Sequence, residues 1–233
     1  MTFANLHVGE KITMPNQLID LLRDLNSKER FFLVGYALGN PTFKPGHEFR
    51  NALGTKLGLP IPEDAFCAMD YHIDWIHAAL VASRHGVDAH YRNDGLIMAQ
   101  QEDVDLLVAF ERNGIVHLIL IEAKAATAWT NGQAESKIER LKKIFGNDAD
   151  RWSGVRPHFV LMSPTRPARL HTNWPYWAVD GNLQPLWIPL PIPDSLLKVS
   201  RWDDQTSKPR KEGEFWKILS RKRSGTIDDP GAA

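Results

Sequence analysis

The chain has a single cysteine, Cys67, in 233 residues, which excludes a framework of internal disulfide bonds. It also lacks the paired cysteines of a structural zinc site, a glycine-rich phosphate-binding loop and a Gly-x-Ser-x-Gly nucleophile elbow. No segment approaches the roughly 18 consecutive apolar residues of a membrane span. The N-terminus has no basic stretch followed by an apolar run, so we expect no secretory signal. These absences predict a cytoplasmic protein without membrane contact.

Charge is balanced over the whole chain and uneven along it. The 28 basic and 28 acidic residues argue against a protein that binds nucleic acid through net charge alone. Between 198 and 223, nine basic residues stand against four acidic ones. A solvated surface is the simpler interpretation of this excess, and contact with phosphates is the alternative. With 43% hydrophobic residues, we expect one globular domain over 1–223 and a disordered tail over 224–233.

The strongest local signal is a β-hairpin around Asn113-Gly114, a dipeptide that favours a two-residue type I′ turn. This turn joins predicted strands over 104–110 and 115–125. It also fixes their register, and side chains alternate between the two faces of a strand. One face then carries a polar cluster: Asp103, Asp105, Glu122 and Lys124.

In this register Asp105 faces Glu122, and Asp103 faces Lys124. Two carboxylates opposed across a sheet are destabilising unless a cation lies between them. Mg²⁺ suits such a site, because it prefers oxygen ligands and is usually held by one or two carboxylates together with water and substrate phosphate. An ordinary exposed hairpin face with an Asp103–Lys124 ion pair is the simpler alternative. The long apolar run around Glu122 argues against that alternative. Asp103 stays ambiguous between neutralising Lys124 and binding a second cation.

These residues resemble the PD-(D/E)XK, or restriction-endonuclease-like, nuclease superfamily. The matching stretches are Val104-Asp105-Leu106-Leu107 and Glu122-Ala123-Lys124, with Val104 where the motif has proline. The resemblance implies an α/β protein with an αβββαβ core and an Mg²⁺-dependent phosphodiesterase, with Mn²⁺ as a substitute and DNA rather than RNA as substrate. It implies that Asp105 and Glu122 bind the metal with the carbonyl of Ala123, and that Lys124 positions water or stabilises charge.

Upstream of the hairpin, apolar residues at three- and four-residue intervals predict helices over 15–25, 29–38, 47–57 and 63–85, which make 15–86 a helical region. The resemblance implies that a glutamate on the helix before the sheet assists the metal site. Glu48 fits that role and Glu29 competes for it, although a solvated first-turn glutamate is an equally simple interpretation. The last of these helices also carries a rival set of transition-metal ligands, for which a solvated helix face is the simpler reading: Asp70, Asp74 and His77.

Downstream, the spacing predicts a helix that ends at Phe145, then a strand over 157–163 that runs parallel to the second hairpin strand. Hairpin and crossover together occupy 96–163. One stripe of the helix carries Gln133, Lys137 and Arg140, and we expect the two basic residues to bind substrate. The resemblance implies that Gln133 supports the active site, as in RecB-like exonucleases, although Lys137 stands where those enzymes have tyrosine.

Residues 164–223 are rich in proline and tryptophan, which predicts an appendage of short strands and loops packed on the core. Packing is the first interpretation of its tryptophans, and stacking on unpaired bases is the alternative. Six of the eight tryptophans lie after residue 150: Trp152, Trp174, Trp177, Trp187, Trp202 and Trp216.

The sequence therefore predicts a metal-dependent nuclease. A different class is a non-catalytic or partner-dependent module that uses the same fold to bind nucleic acid or protein. Loss of the lysine or of a carboxylate would have indicated that class, and neither is missing. A homodimer or a partner protein is compatible with both, and double-strand cleavage at one position requires a dimer.

Overall fold

The computed structural model describes residues 15–87, 89–99, 102–125, 129, 131–167, 170, 173–193, 196–203 and 209–221, so the predicted tail lies outside it. The protein is a mixed α/β fold with a five-stranded sheet and a separate two-stranded sheet. None of its described helices has the length and apolar character of a membrane span. The elements in chain order are α1 Pro15–Leu25, α2 Glu29–Leu38, α3 His47–Leu57, β1 Phe66–His72, α4 Ile73–His85, β2 Asp103–Arg112, β3 Ile115–Ala123, α5 Asn131–Phe145, β4 Val155–Ser163, β5 Trp187–Pro189, β6 Leu196–Trp202 and β7 Phe215–Arg221.

The β2–β3 hairpin forms the centre of the sheet. Its predicted turn and register are confirmed, whereas the second strand ends at Ala123, two residues before its predicted end. Asn113 and Gly114 have φ values of 54° and 78°, the left-handed conformation that a type I′ turn requires. Arg112 pairs with Ile115, and the regular pairing continues as far as Leu106 with Ile121. The hairpin therefore brings the residues just beyond this last pair to one end of the sheet.

The rest of the sheet follows in the order β1-β2-β3-β4-β5. The strand β1 is antiparallel to β2, whereas β4 is parallel to β3 and β5 is parallel to β4. Helix α5 makes the crossover from β3 to β4, as parallel neighbours require. The predicted parallel strand over 157–163 is thus confirmed, with a start two residues earlier at Val155.

The predicted helix over 63–85 is wrong in its first half, where the chain forms the edge strand β1 before α4 begins at Ile73. Apolar residues at 66, 69, 73, 76 and 80 continue a helical period through both elements, so periodicity alone does not separate them. Asp70 marks the irregular point of the strand, with a φ of 50°. Pairing with β2 outweighs the helical spacing here, because a strand at this edge buries Phe66, Ala68 and Tyr71.

The sheet has a hydrophobic cluster on each face. Helices α1, α4 and α5 cover one face, where their apolar stripes pack against Leu107, Leu118 and Leu120. Helix α3 covers the opposite face through Leu53, which packs with Val108 and Ile119. Since Glu122 continues the alternation of Leu118 and Leu120, its side chain belongs to the α5 side of the sheet.

Two histidines lie in the α3 side of the sheet, away from the polar cluster. The Nδ1 atom of His117 and the Nε2 atom of His158 are 3.1 Å apart, and the two rings stack on each other. Burial lowers the pKa of both imidazoles, that of His158 to about 3. Both rings are therefore neutral at pH 7, and one donates an N–H to the other.

The C-terminal region adds β5 to the central sheet and forms the separate β6–β7 hairpin. Trp177 is buried, and Trp152, Trp174 and Trp187 pack against the cluster on the α5 side, so packing is confirmed for these four tryptophans. The hairpin β6–β7 differs, because the side of it that carries Trp216 is exposed to solvent. Trp216 itself is 66% exposed.

Candidate active site

The predicted polar cluster lies where the β2–β3 ladder ends. Regular pairing stops at Leu106 with Ile121, one residue before Asp105 and Glu122. Beyond that pair, the Asp105 side chain takes the place of a backbone acceptor, and its Oδ2 atom accepts a hydrogen bond from the N–H of Ala123 at 2.6 Å. One oxygen of Asp105 is thus fixed by the backbone, and the carboxylate is held at the level of Glu122.

Glu122 is the most deeply buried acid of the cluster, with 9% of its side chain exposed. Lys137 of α5 forms an ion pair with its Oε2 atom, and the ammonium of Lys124 lies 3.7 Å from its Oε1 atom. Burial raises the pKa of the Glu122 carboxyl, Lys137 opposes that effect, and the negative charge of Asp105 adds to it. Glu122 therefore occupies a position where a neighbouring cation is strongly stabilising.

Asp103 does not pair with Lys124, in contrast to one alternative drawn from the sequence. Its Oδ2 atom accepts a hydrogen bond from the ammonium of Lys28 at 2.9 Å, and its Oδ1 atom is in contact with Nδ1 of His72 of β1. The Lys124 ammonium instead lies 5.8 Å from the ring centre of Trp129. Lys124 thus remains adjacent to Glu122 without a second acidic partner among the described residues.

The start of α2 supplies two cations that sequence reasoning missed. Besides Lys28 on Asp103, Arg30 forms an ion pair with Asp70 at 3.1 Å. Asp70 lies between Met69 and Tyr71, which pair with Leu106 and Val104, so it falls at the level of Asp105. No local pattern indicates these contacts, because each joins residues distant in sequence. The site is a row of acids across three strands, matched by basic residues from α2 and α5.

The predicted stripe on α5 separates into two roles. Lys137 reaches the cluster, where it contacts Glu122. Arg140 is 6% exposed and pairs with Asp74 of α4 and with Glu102, and its role in substrate binding stays a prediction. Gln133 lies one turn before Lys137 on the same helix, and its side chain lies outside the described part of the structure.

The structure does not bring Glu48 to the carboxylates. Glu48 is exposed in the first turn of α3, which packs on the opposite face of the sheet from Glu122. Among the described residues, no hydrogen bond or ion pair joins it to Asp105 or Glu122. Glu29 is also exposed, but it begins α2 between Lys28 and Arg30, whose side chains both reach the acidic row. Of the two candidates, Glu29 therefore lies on the element nearer to the site.

The rival metal set of Asp70, Asp74 and His77 is not assembled. Asp70 belongs to β1, whereas Asp74 pairs with Arg140 and accepts hydrogen bonds from backbone N–H groups at 98 and 99. In the part of the chain that the structure covers, no three side chains of metal-ligating type lie close enough to hold an ion. Any metal at the cluster would thus have Asp105 and Glu122 as its described side-chain ligands.

Comparison of the chain with protein-family models, curated proteins and solved structures gave no match. The geometry of the cluster is therefore the ground for any functional conclusion.

Proposed function

We propose that this protein is a metal-dependent nuclease of the PD-(D/E)XK type, which hydrolyses phosphodiester bonds in DNA. One observation carries the proposal: Asp105, Glu122 and Lys124 lie together where two antiparallel central strands cease to pair. The order α3, β1, β2, β3, α5, β4 supports it, since it is the αβββαβ order of the superfamily with α4 inserted after β1.

The residues present suit Mg²⁺. The buried carboxyl of Glu122 lies beside the charge of Asp105, and an ion between them would offset both charges. Two carboxylates are enough, because Mg²⁺ keeps several waters and takes further oxygens from substrate phosphate. In this proposal the backbone carbonyl of Ala123, between Glu122 and Lys124, is the third oxygen ligand of the ion. Bound there, the ion would polarise a phosphoryl oxygen and lower the pKa of a coordinated water.

Lys124 has the position of a residue that acts on the reacting phosphate. Its ammonium is close to Glu122 but not in hydrogen-bond contact with it, and 23% of its side chain is exposed. An ammonium held at such a place orients an attacking water or stabilises the extra negative charge of the transition state. Lys137 is already paired with Glu122, so the two lysines have different tasks.

A non-catalytic binding module is the second candidate, and one observation favours it. Lys137 already neutralises Glu122, so the cluster is stable without a metal ion. In such a module the acids and lysines would form a structural ion-pair network. This candidate predicts that added Mg²⁺ changes neither activity nor thermal stability.

The direct test is incubation of the purified protein with single-stranded DNA, linear duplex, supercoiled plasmid and RNA, each with Mg²⁺, Mn²⁺ or EDTA. We expect cleavage of DNA in the presence of either ion and none in EDTA. An Asp105→Asn variant, which keeps the shape of the side chain but weakens cation binding, identifies contaminating nucleases. If the folded protein cleaves none of these substrates under any condition, the nuclease assignment is wrong and the binding module replaces it.

Lys137 should compete with the metal for Glu122. In a Lys137→Gln variant, we expect the half-saturating Mg²⁺ concentration to fall by about 5- to 10-fold, because a charge-assisted hydrogen bond no longer has to be displaced. The measurement is the Mg²⁺ dependence of the cleavage rate, or of thermal stability. Lys142→Gln on the same helix is the matched control, since Lys142 pairs with the exposed Glu139 and should leave the Mg²⁺ dependence unchanged. An unchanged or higher Mg²⁺ requirement in Lys137→Gln would contradict this competition.

A further inference from the structure

Lys124 lies between the carboxylate of Glu122 and the ring of Trp129. The indole N–H of Trp129 donates to Ser163 Oγ at 3.1 Å, and that of Trp187 donates to the same oxygen at 3.0 Å. The Ser163 hydroxyl donates in turn to the carbonyl of Thr165 at 2.8 Å. A hydroxyl that accepts two hydrogen bonds and donates one is fully satisfied. We refer to Trp129, Ser163 and Trp187 as the indole cluster.

The sheet fixes the indole cluster next to the proposed metal site. Ala123 pairs with Met162 in the parallel β3–β4 ladder, so Ser163 lies at the level of Lys124. The same ladders align Glu122 with Leu161 and Leu161 with Trp187. The ring of Trp129 is centred 5.8 Å from the Lys124 ammonium. Carboxylates, lysine and indoles therefore follow one another along the same end of the sheet.

The indole cluster is anchored but not sealed from solvent. Ser163 is 4% exposed, so the indole N–H groups that it accepts lie at a buried position. The side chains of Trp129 and Trp187 themselves are half-buried. Trp187 also lines an open groove of about 590 Å³ between α3 and the edge strand β5. Asn51, Thr55 and Lys56 form the α3 side of this groove, and the Lys56 ammonium donates a hydrogen bond to Asp180 at 2.8 Å. Each indole packs against the hydrophobic cluster on the α5 side and keeps part of its ring exposed. A rigid, partly exposed ring of this kind is a surface on which a flat base can stack.

We infer that the site takes single-stranded DNA, with an unpaired base next to the reacting phosphate stacked on the indole cluster. The inference rests on the proposed function, because it places that phosphate at Lys124. In a duplex both faces of a base are covered by its neighbours, whereas an unpaired base has a face free for an indole. Stacking of this kind tolerates any sequence, since every base has a π-face.

Affinity for DNA tests the inference independently of cleavage. The probe is a fluorescein-labelled single-stranded oligodeoxynucleotide, compared with a duplex of the same sequence by fluorescence anisotropy in Ca²⁺ in place of Mg²⁺. We expect tighter binding of the single strand, and a loss of about 10-fold in Trp129→Leu. Trp129→Phe, which keeps an aromatic face, should stay within about 3-fold of the wild type. Trp216→Leu, which removes an exposed indole from β7, should leave the affinity unchanged.

A second variant guards against loss of folding. Thermal unfolding is recorded for every variant. If Trp129→Leu melts at a lower temperature than the wild type, Trp187→Leu takes its place, and we expect it to show the same loss of affinity. Equal single-strand binding by the wild type and by the folded leucine variants would overturn the inference, and so would a preference of the wild type for duplex.

The two proposals fail separately. A protein that cleaves DNA with metal but binds it independently of the indoles contradicts stacking and leaves the nuclease assignment in place. A protein that binds single strands through Trp129 and cleaves nothing supports stacking in a binding module, and contradicts the nuclease assignment.

Discussion

Replacement of Lys124 by alanine is expected to reduce metal-dependent DNA cleavage by about 10²- to 10³-fold, the effect of removing one preorganised cation or donor from a transition state. The fold should be unaffected, because Lys137 still neutralises the buried carboxylate of Glu122. Metal affinity should also persist, because Asp105 and Glu122 are retained. We expect Lys124→Arg to restore little activity, since a planar guanidinium does not reproduce the point charge of an ammonium.

The measurement is the single-turnover rate on the preferred substrate at saturating Mg²⁺, together with Mn²⁺ affinity by calorimetry and thermal unfolding. Lys143→Ala is the matched control, because Lys143 is an exposed lysine in the last turn of α5. Wild-type rates in a rigorously purified Lys124→Ala protein would exclude the proposed role of this lysine. Loss of Mn²⁺ binding together with cleavage would instead indicate that Lys124 organises the carboxylates rather than the reaction.

Replacement of Arg140 by alanine is expected to lower the free energy of unfolding by about 3 to 5 kcal/mol, the cost of breaking a buried ion pair from one side. Arg140 is 6% exposed and joins α5 to Asp74 of α4 and to Glu102, which precedes β2. Without the guanidinium, two acids in a partly buried site lose their counter-charge. The change should appear as a lower midpoint of urea unfolding with the same slope.

Lys142→Ala separates this effect from a general loss of charge on α5. Lys142 pairs with Glu139 on the surface of the same helix, and such pairs contribute within about 1 kcal/mol. If Arg140→Ala unfolds at the wild-type urea concentration but binds DNA more weakly, the ion-pair network is not structural. Arg140 would then have the substrate-binding role that the helical stripe predicted.

Local signals in the sequence accounted for the centre of the fold and for part of the site. The Asn113-Gly114 turn fixed the strand register, and the register placed Asp105 near Glu122, because side-chain alternation carries over the whole hairpin. Local signals did not predict the boundary between β1 and α4. Phe66 to Leu80 keeps one helical period through a strand and a helix, and pairing with β2 decides between them.

The contacts of the candidate site that sequence reasoning missed share a physical reason. The sequence does not show whether a basic side chain on α5 contacts substrate, Glu122 or Asp74. The tertiary fold determines which acid lies next to it. Lys137 and Arg140 therefore pair with different acids, Glu122 and Asp74, although the sequence placed both on one helical stripe. Lys28 and Arg30 were missed for the same reason, since their acids lie on β1 and β2.

The hydrogen bond between Asp105 and the N–H of Ala123 closes the end of the hairpin with a group that can ionise. Backbone carbonyls hold the rest of the ladder, and their strength as acceptors is fixed by the peptide bond. In the proposed metal-bound state Asp105 would also bind the ion, and a carboxylate that shares its charge with a cation is a weaker acceptor for the N–H of Ala123. Opening of the strand ends would then be coupled to metal binding, while the paired part of β2 and β3 keeps its backbone hydrogen bonds.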